Sequence, residues 1–222
     1  LYCFWKQAQS ELESLTMEVT RFKTEAHDGR KLFQDLTANY DSELSDTERA
    51  VRFFVLNRIT FSGTVDAGGY SQKAFESRFT VSSINRLREL REVLEGVRIT
   101  NLDYREVLNT NGDHCFVFLD PPYLSATKSK LYGKRGHLHS SFNHEEFAES
   151  LKACPHKWLV TYDDSPEIRN NFRFANIYEW ELQYGMNNFG RNFAPKGKEL
   201  FITNYDVEAR RANEQVKLAF ES

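Results

Sequence analysis

The chain has 222 residues, 40% of them hydrophobic and 27% charged, with a formal net charge of −3 and a sequence pI near 6.1. That length supports one sizeable core or one core with a small insert, and the near-balanced charge excludes nucleic-acid binding through bulk basicity, so any basic surface must be local. No apolar stretch approaches the roughly 18 residues of a bilayer span and no cleavable signal opens the chain, so a soluble protein without a membrane partner is expected.

Cys3, Cys115 and Cys154 are far apart and lack CxxC or Cys/His metal spacing, and read as reduced thiols of a cytoplasmic protein with no metal site. The chain begins at Leu1, and LYCFWK presents four bulky residues at once, from which we expect further residues upstream.

From Ser10 to about Asn57 apolar residues recur at three and four, as in Leu12, Leu15, Val19 and Phe22, then Val51, Phe54 and Val55. This spacing predicts helices, interrupted around His27 to Gly29 and Tyr40 to Ser45, with Asp46 as the N-cap of the second stretch. Asn57 to Gln72 carries three glycines and little periodicity and reads as a loop. Ser82 or Ser83 then caps a helix through about Leu94, ended by Gly96.

Beyond Gly96 strands alternate with helices: VRITNLD, then CFVFLD as a fully buried strand, then a helix from Asn143 to about Ala153 with Asn143 as its cap, then KWLVTYDD. Such alternation predicts an α/β sheet with parallel strands. IYEWELQYGMNN and KELFITNY read as an antiparallel hairpin at the sheet edge, and the tail after Tyr205 as a solvated helix or disorder.

The chemistry-bearing stretch is DPPY, Asp120 to Tyr123, at the carboxyl end of CFVFLD, where ligands of open α/β sheets bind. Each proline fixes its own φ, pushes the residue before it toward extended geometry and offers no N–H. The result is an acceptor-only rim, the Asp120 carboxylate and the Pro121 carbonyl, followed by the flat face of Tyr123. A planar group with two N–H donors, such as the exocyclic amino group of adenine, satisfies that rim. Holding both hydrogens aims its lone pair at an electrophile without a covalent protein nucleophile. The bland reading is a strand-ending turn with Asp120 as a solvated cap.

DPPY resembles the catalytic motif of Dam-type adenine-specific DNA methyltransferases. TNLDY, Thr100 to Tyr104, resembles that family's segment in which an acidic residue and an aromatic contact the cofactor's adenine, and LNRITFSG, Leu56 to Gly63, resembles the start of its target-recognition region. The resemblance implies an α/β, Rossmann-like S-adenosylmethionine-dependent methyltransferase sheet with a helical target-recognition insert, and double-stranded DNA and a possible cognate restriction endonuclease as partners. It implies catalytic Asp120, Pro121, Pro122 and Tyr123, and cofactor-binding Asp103 and Tyr104. The implied divisions are 1–45, a helical segment; 46–96, the target-recognition region; 97–206, the catalytic core; and 207–222, a tail. No GxG occurs in the chain, whereas the family carries a glycine-rich cofactor loop on its first strand. The resemblance thus implies an N-terminally truncated sheet, two strands and most of the methionine pocket lying upstream of Leu1, and a fragment inactive on its own.

Lys128, Lys130, Lys134 and Arg135, with His137 and His139, crowd a stretch with no acid between Asp120 and Glu145, and are expected to contact DNA phosphates rather than merely solvate a loop. Arg191, Lys196 and Lys198 form a second acid-free stretch. Arg58, beside Phe61, is a further DNA-binding candidate, although an arginine that closes a helix is common. Asp163 and Asp164 can line a target-base pocket, or Asp164 or Ser165 can cap the following helix. Cys154-Pro155 reverses the order needed for a cytosine-attacking cysteine and is set aside. Two other readings stay open at this stage: a catalytically dead DNA-binding remnant, and an amino-methyltransferase acting on RNA or another planar amino group.

Overall fold

Apolar residues at helical spacing and a capping box build the first half of the chain. The computed structural model describes residues 1–38, 43–124, 142–183 and 196–207, which fall in two units, Leu1–Asn101 and Leu102–Ser222. The first unit is helical: α1 (Tyr2–Ser10), α2 (Leu12–Glu25), α3 (Gly29–Ala38), α4 (Asp46–Ile59), α5 (Gln72–Arg78), α6 (Val81–Asn85) and α7 (Leu90–Val93). Helix α4 is its centre, burying Ala50, Val51, Phe54, Val55, Leu56 and Ile59 in one cluster with Phe4, Ala8, Leu12, Leu15 and Val19. Phe4 is not exposed like its neighbours Leu1, Tyr2 and Trp5, because it shares a helical face with Ala8 and packs on Phe53 and Phe54, with centroids 5.4 and 6.0 Å away.

The cap of α4 is Ser45, one residue before the expected Asp46. Its hydroxyl accepts from the Glu48 N–H at 3.3 Å and the Glu48 carboxylate accepts from the Ser45 N–H at 2.8 Å, a reciprocal box that Asp46 cannot close. Asp46 sits instead in the first turn, where a negative charge suits the helix dipole. Ser45→Ala is expected to lower the free energy of unfolding by about 1 kcal/mol and Ser45→Asp by only a few tenths, read from urea denaturation.

The expected single helix ending at Gly96 is α6, a 3₁₀ turn over Arg86–Glu89 and α7, with Thr80 rather than Ser82 or Ser83 as cap and Ser83 as its partner. Gly96 follows with φ +71, the left-handed conformation that frees a helix end. The expected loop is two 3₁₀ turns closed by a Thr60–Tyr70 bridge, with Phe61 N–H donating to the Gly69 carbonyl at 3.0 Å.

The second unit is mixed α/β, with helices α8 (Tyr104–Leu108), α9 (His144–Ala153) and α10 (Pro166–Asn171) and strands β1 (Phe116–Leu119), β2 (Lys157–Asp163), β3 (Asn176–Gln183) and β4 (Lys196–Thr203). Among the described residues the strand order is β1-β2-β4-β3. Among the described strands only β1 and β2 run parallel, with α9 in the long connection that a parallel pair needs; β2–β4 and β3–β4 are antiparallel. Trp158, Val160 and Tyr162 of β2 meet Leu200 and Ile202 of β4 and Phe147, Leu151 and Ile168 of the helices in one buried cluster.

Two strand expectations are corrected. CFVFLD is not buried on both faces: Phe116 and Phe118 are 55% and 63% exposed, because only the opposite face of β1, Val117 and Leu119, packs on the cluster. VRITNLD forms no strand; residues 97–103 have no ladder partner among the described residues, and an extended segment without one is not a strand. Asn143 does cap α9, its side chain accepting from the Glu146 N–H at 3.1 Å. All three cysteines are free. Among the described residues no helix is long and apolar enough to cross a membrane.

Candidate active site at the end of the parallel strands

The last ladder pair of β1 and β2 is Leu119 with Val160, so Asp120 leaves the strand one step later beside Thr161. The buried Thr161 hydroxyl donates to Asp120 Oδ1 at 3.1 Å, while Asp120 itself is exposed. No peptide bond here is cis, so the two prolines extend the chain away from the strand. Two positions further along β2, on the same face, Asp163 Oδ1 accepts the Leu124 N–H at 3.0 Å. The turn is therefore held at both ends by alternate residues of one strand. Among the described residues, Asp120 Oδ2 and the Pro121 carbonyl accept no hydrogen bond. These are the two acceptors expected of the rim.

Tyr123 is half-buried, its ring tilted against Tyr162 with centroids 6.1 Å apart. Burial, and then the charges of Glu199, Asp120 and Asp163, push the phenol above its ordinary pKa, and the Thr161 contact opposes them. Asp163 stays at the turn as described, but Asp164 is committed elsewhere, held by Arg169 Nε at 2.7 Å and Nη2 at 3.0 Å. Ser165 is the cap of α10.

Asp103 caps α8, accepting the Arg105 N–H at 3.0 Å, and the Arg105 side chain grips both of its oxygens, Nε to Oδ1 at 2.8 Å and Nη2 to Oδ2 at 3.0 Å. Arg105 also donates to Glu146 of α9 at 2.5 Å. The Arg105 hydrogen bonds hold the Asp103 carboxyl down to about 2. The stabilisation it lends α8 is accordingly complete above the ordinary carboxylate range and lost only as pH falls through about 2. The Tyr104 ring turns inward, 5.1 Å from Phe147 and 5.9 Å from Phe142. Tyr104 and Tyr123 are thus joined through Phe147 and Tyr162, whose rings are 6.4 Å apart. This shared aromatic core positions both the Asp103 and the Asp120 ends of the unit.

Arg58 lies in the last turn of α4, half-buried, with its guanidinium over the Phe54 ring at 5.1 Å. Burial, then the positive charges of Arg78 and Arg86, push it below its ordinary pKa, and among the described residues it has no acidic partner. Lys128, Lys130, Lys134, Arg135, His137, His139 and Arg191 lie outside the described residues; Lys198 is exposed on β4. Thr161 is the site residue that sequence reasoning missed. Its signal was the alternation Thr161-Tyr162-Asp163 in a strand, which sets 161 and 163 on one face.

A mixed sheet whose parallel pair ends in a rigid, acceptor-rimmed turn defines an α/β protein with a polar site at the carboxyl ends of its strands. The sequence pattern of the D12 class N6 adenine-specific DNA methyltransferases matches residues 1–186, and the chain belongs to that family. It is also similar to the type II methyltransferase M1.LlaDCHI of Lactococcus lactis subsp. cremoris, 22% identical over 181 residues. That match takes in 73% of this chain and 61% of the relative.

Proposed function

We propose that the protein is a site-specific DNA adenine methyltransferase that transfers a methyl group from S-adenosylmethionine directly to the exocyclic amino group of a flipped-out adenine. The observation that carries this is the pair of acceptors that are open among the described residues, Asp120 Oδ2 and the Pro121 carbonyl, on one turn stiffened by Pro121 and Pro122. They take the two amino hydrogens and leave the nitrogen lone pair directed at the donor. Tyr123 supplies an aromatic face for the base. Extruding a base costs a few kcal/mol and stacking returns about 1 to 3 kcal/mol, so contacts at Asp120, Pro121 and the DNA phosphates must supply the rest.

S-adenosylmethionine supplies an electrophilic methyl group when bound. Asp103 suits its adenine end: the side chain is 43% exposed and Oδ2 accepts one hydrogen bond, which leaves it room for an amino N–H. Tyr104 forms the apolar wall behind it. The parallel β1–β2 pair with its crossover helix supports a Rossmann-like methyltransferase sheet, and residues 46–96 are assigned to target recognition. The type II designation of the Lactococcus relative supports a restriction-modification setting with a cognate endonuclease.

The test is transfer of labelled methyl groups to unmethylated duplex DNA, with RNA of matched length as control and sequencing for N6-methyladenine. Transfer to RNA alone would overturn the assignment. For the DNA contacts, neutralising Lys134 and Arg135 together is expected to weaken binding and to reduce the slope of log K against log salt by about 1 to 2. An unchanged slope would remove that run from the interface.

A further inference from the structure

We infer that Thr161 and Asp163 of β2 are positioning residues for the DPPY turn, an inference that rests on the methyltransferase reading above. They are two residues apart on one face of a strand whose other face, Trp158, Val160 and Tyr162, is locked in the core. They therefore form a rigid two-point mount. Thr161 Oγ1 donates to Asp120 Oδ1, so one buried side chain orients the carboxylate. Asp163 Oδ1 holds the Leu124 N–H and fixes the far end of the turn.

The prolines stiffen the turn but cannot anchor it, because neither has an N–H to donate. Asp120 is exposed, and without the Thr161 bond its carboxylate would be free to rotate among rotamers. Committing Oδ1 to Thr161 leaves Oδ2 as the acceptor that faces the substrate.

Thr161→Val keeps the shape and removes the hydroxyl, whereas Thr161→Ser keeps the hydroxyl. In the full protein, on unmethylated genomic DNA, Thr161→Val should lower kcat about ten- to a hundred-fold, the loss expected for one hydrogen bond to a charged group. KM for DNA and for S-adenosylmethionine should stay within about twofold, and Thr161→Ser should recover most of kcat. A valine variant with wild-type kcat, or a serine variant impaired as much as valine, would overturn the inference. Hydrogen exchange reads the same mount without turnover: Asp163→Ala should speed exchange of the Leu124 amide at least about tenfold. Unchanged exchange there would overturn the Asp163 half. A wild-type protein that methylates no DNA would overturn the function and leave the exchange result to decide the mount.

Discussion

Asp120→Ala is expected to reduce methyl transfer by at least about 10²- to 10³-fold in single-turnover assays, the cost of removing one preorganised polar partner from a reacting centre. DNA affinity should stay within a few fold, because in the proposed reaction the carboxylate meets the amino group of an extruded base and not the phosphate backbone. Asp120→Asn is the informative companion. Its amide oxygen can still accept an N–H, so part of the rate should survive. The Thr161 hydroxyl donates to Oδ1, so the amide is expected to settle with its oxygen there and its NH2 toward the substrate in some molecules, which limits the recovery. Full activity in the alanine variant would refute the role of the rim.

Trp158→Ala is expected to destabilise the second unit by about 3 to 5 kcal/mol. The indole is fully buried on β2, packs edge-on against Phe172 and Phe174, and donates its Nε1 hydrogen to the Leu151 carbonyl at 3.0 Å. Truncation leaves a large cavity and takes the side-chain donor from the Leu151 carbonyl, which then keeps only the Cys154 N–H at 3.2 Å. Since small domains are stable by only about 5 to 15 kcal/mol, much of the margin would go. Trp158→Phe keeps most of the volume and should cost clearly less. Urea denaturation measures both, and a loss under about 1 kcal/mol in the alanine variant would mean that β2 is not the element on which the site is mounted.

These two residues differ in how visible they were. Asp120 could be chosen from the sequence because an apolar run ending in DPPY has local consequences: stiff φ angles, missing donors and a charge at a strand end. Helical periodicity, the Asn143 cap and the pairing of the last two strands were legible for the same reason, since each depends on residues a few positions apart. The capping errors at Asp46 and at Ser82 or Ser83 were shifts of one to three residues, settled by which side chain could close a reciprocal hydrogen bond.

By itself, then, the sequence determined the helices, the turn and the two acceptors of the proposed site, because those follow from dihedral limits and side-chain chemistry within short stretches. The tertiary structure alone decided the rest. A strand exists only with a partner, which is why VRITNLD is not one, and only one face of β1 packs on the core, which is why Phe116 and Phe118 are exposed despite their apolar pattern. Asp103 is gripped by Arg105, which in turn reaches Glu146, 41 positions further on, and Asp120 is oriented by Thr161, also 41 positions away. Such contacts are set by strand register and helix packing, so no local pattern could place them.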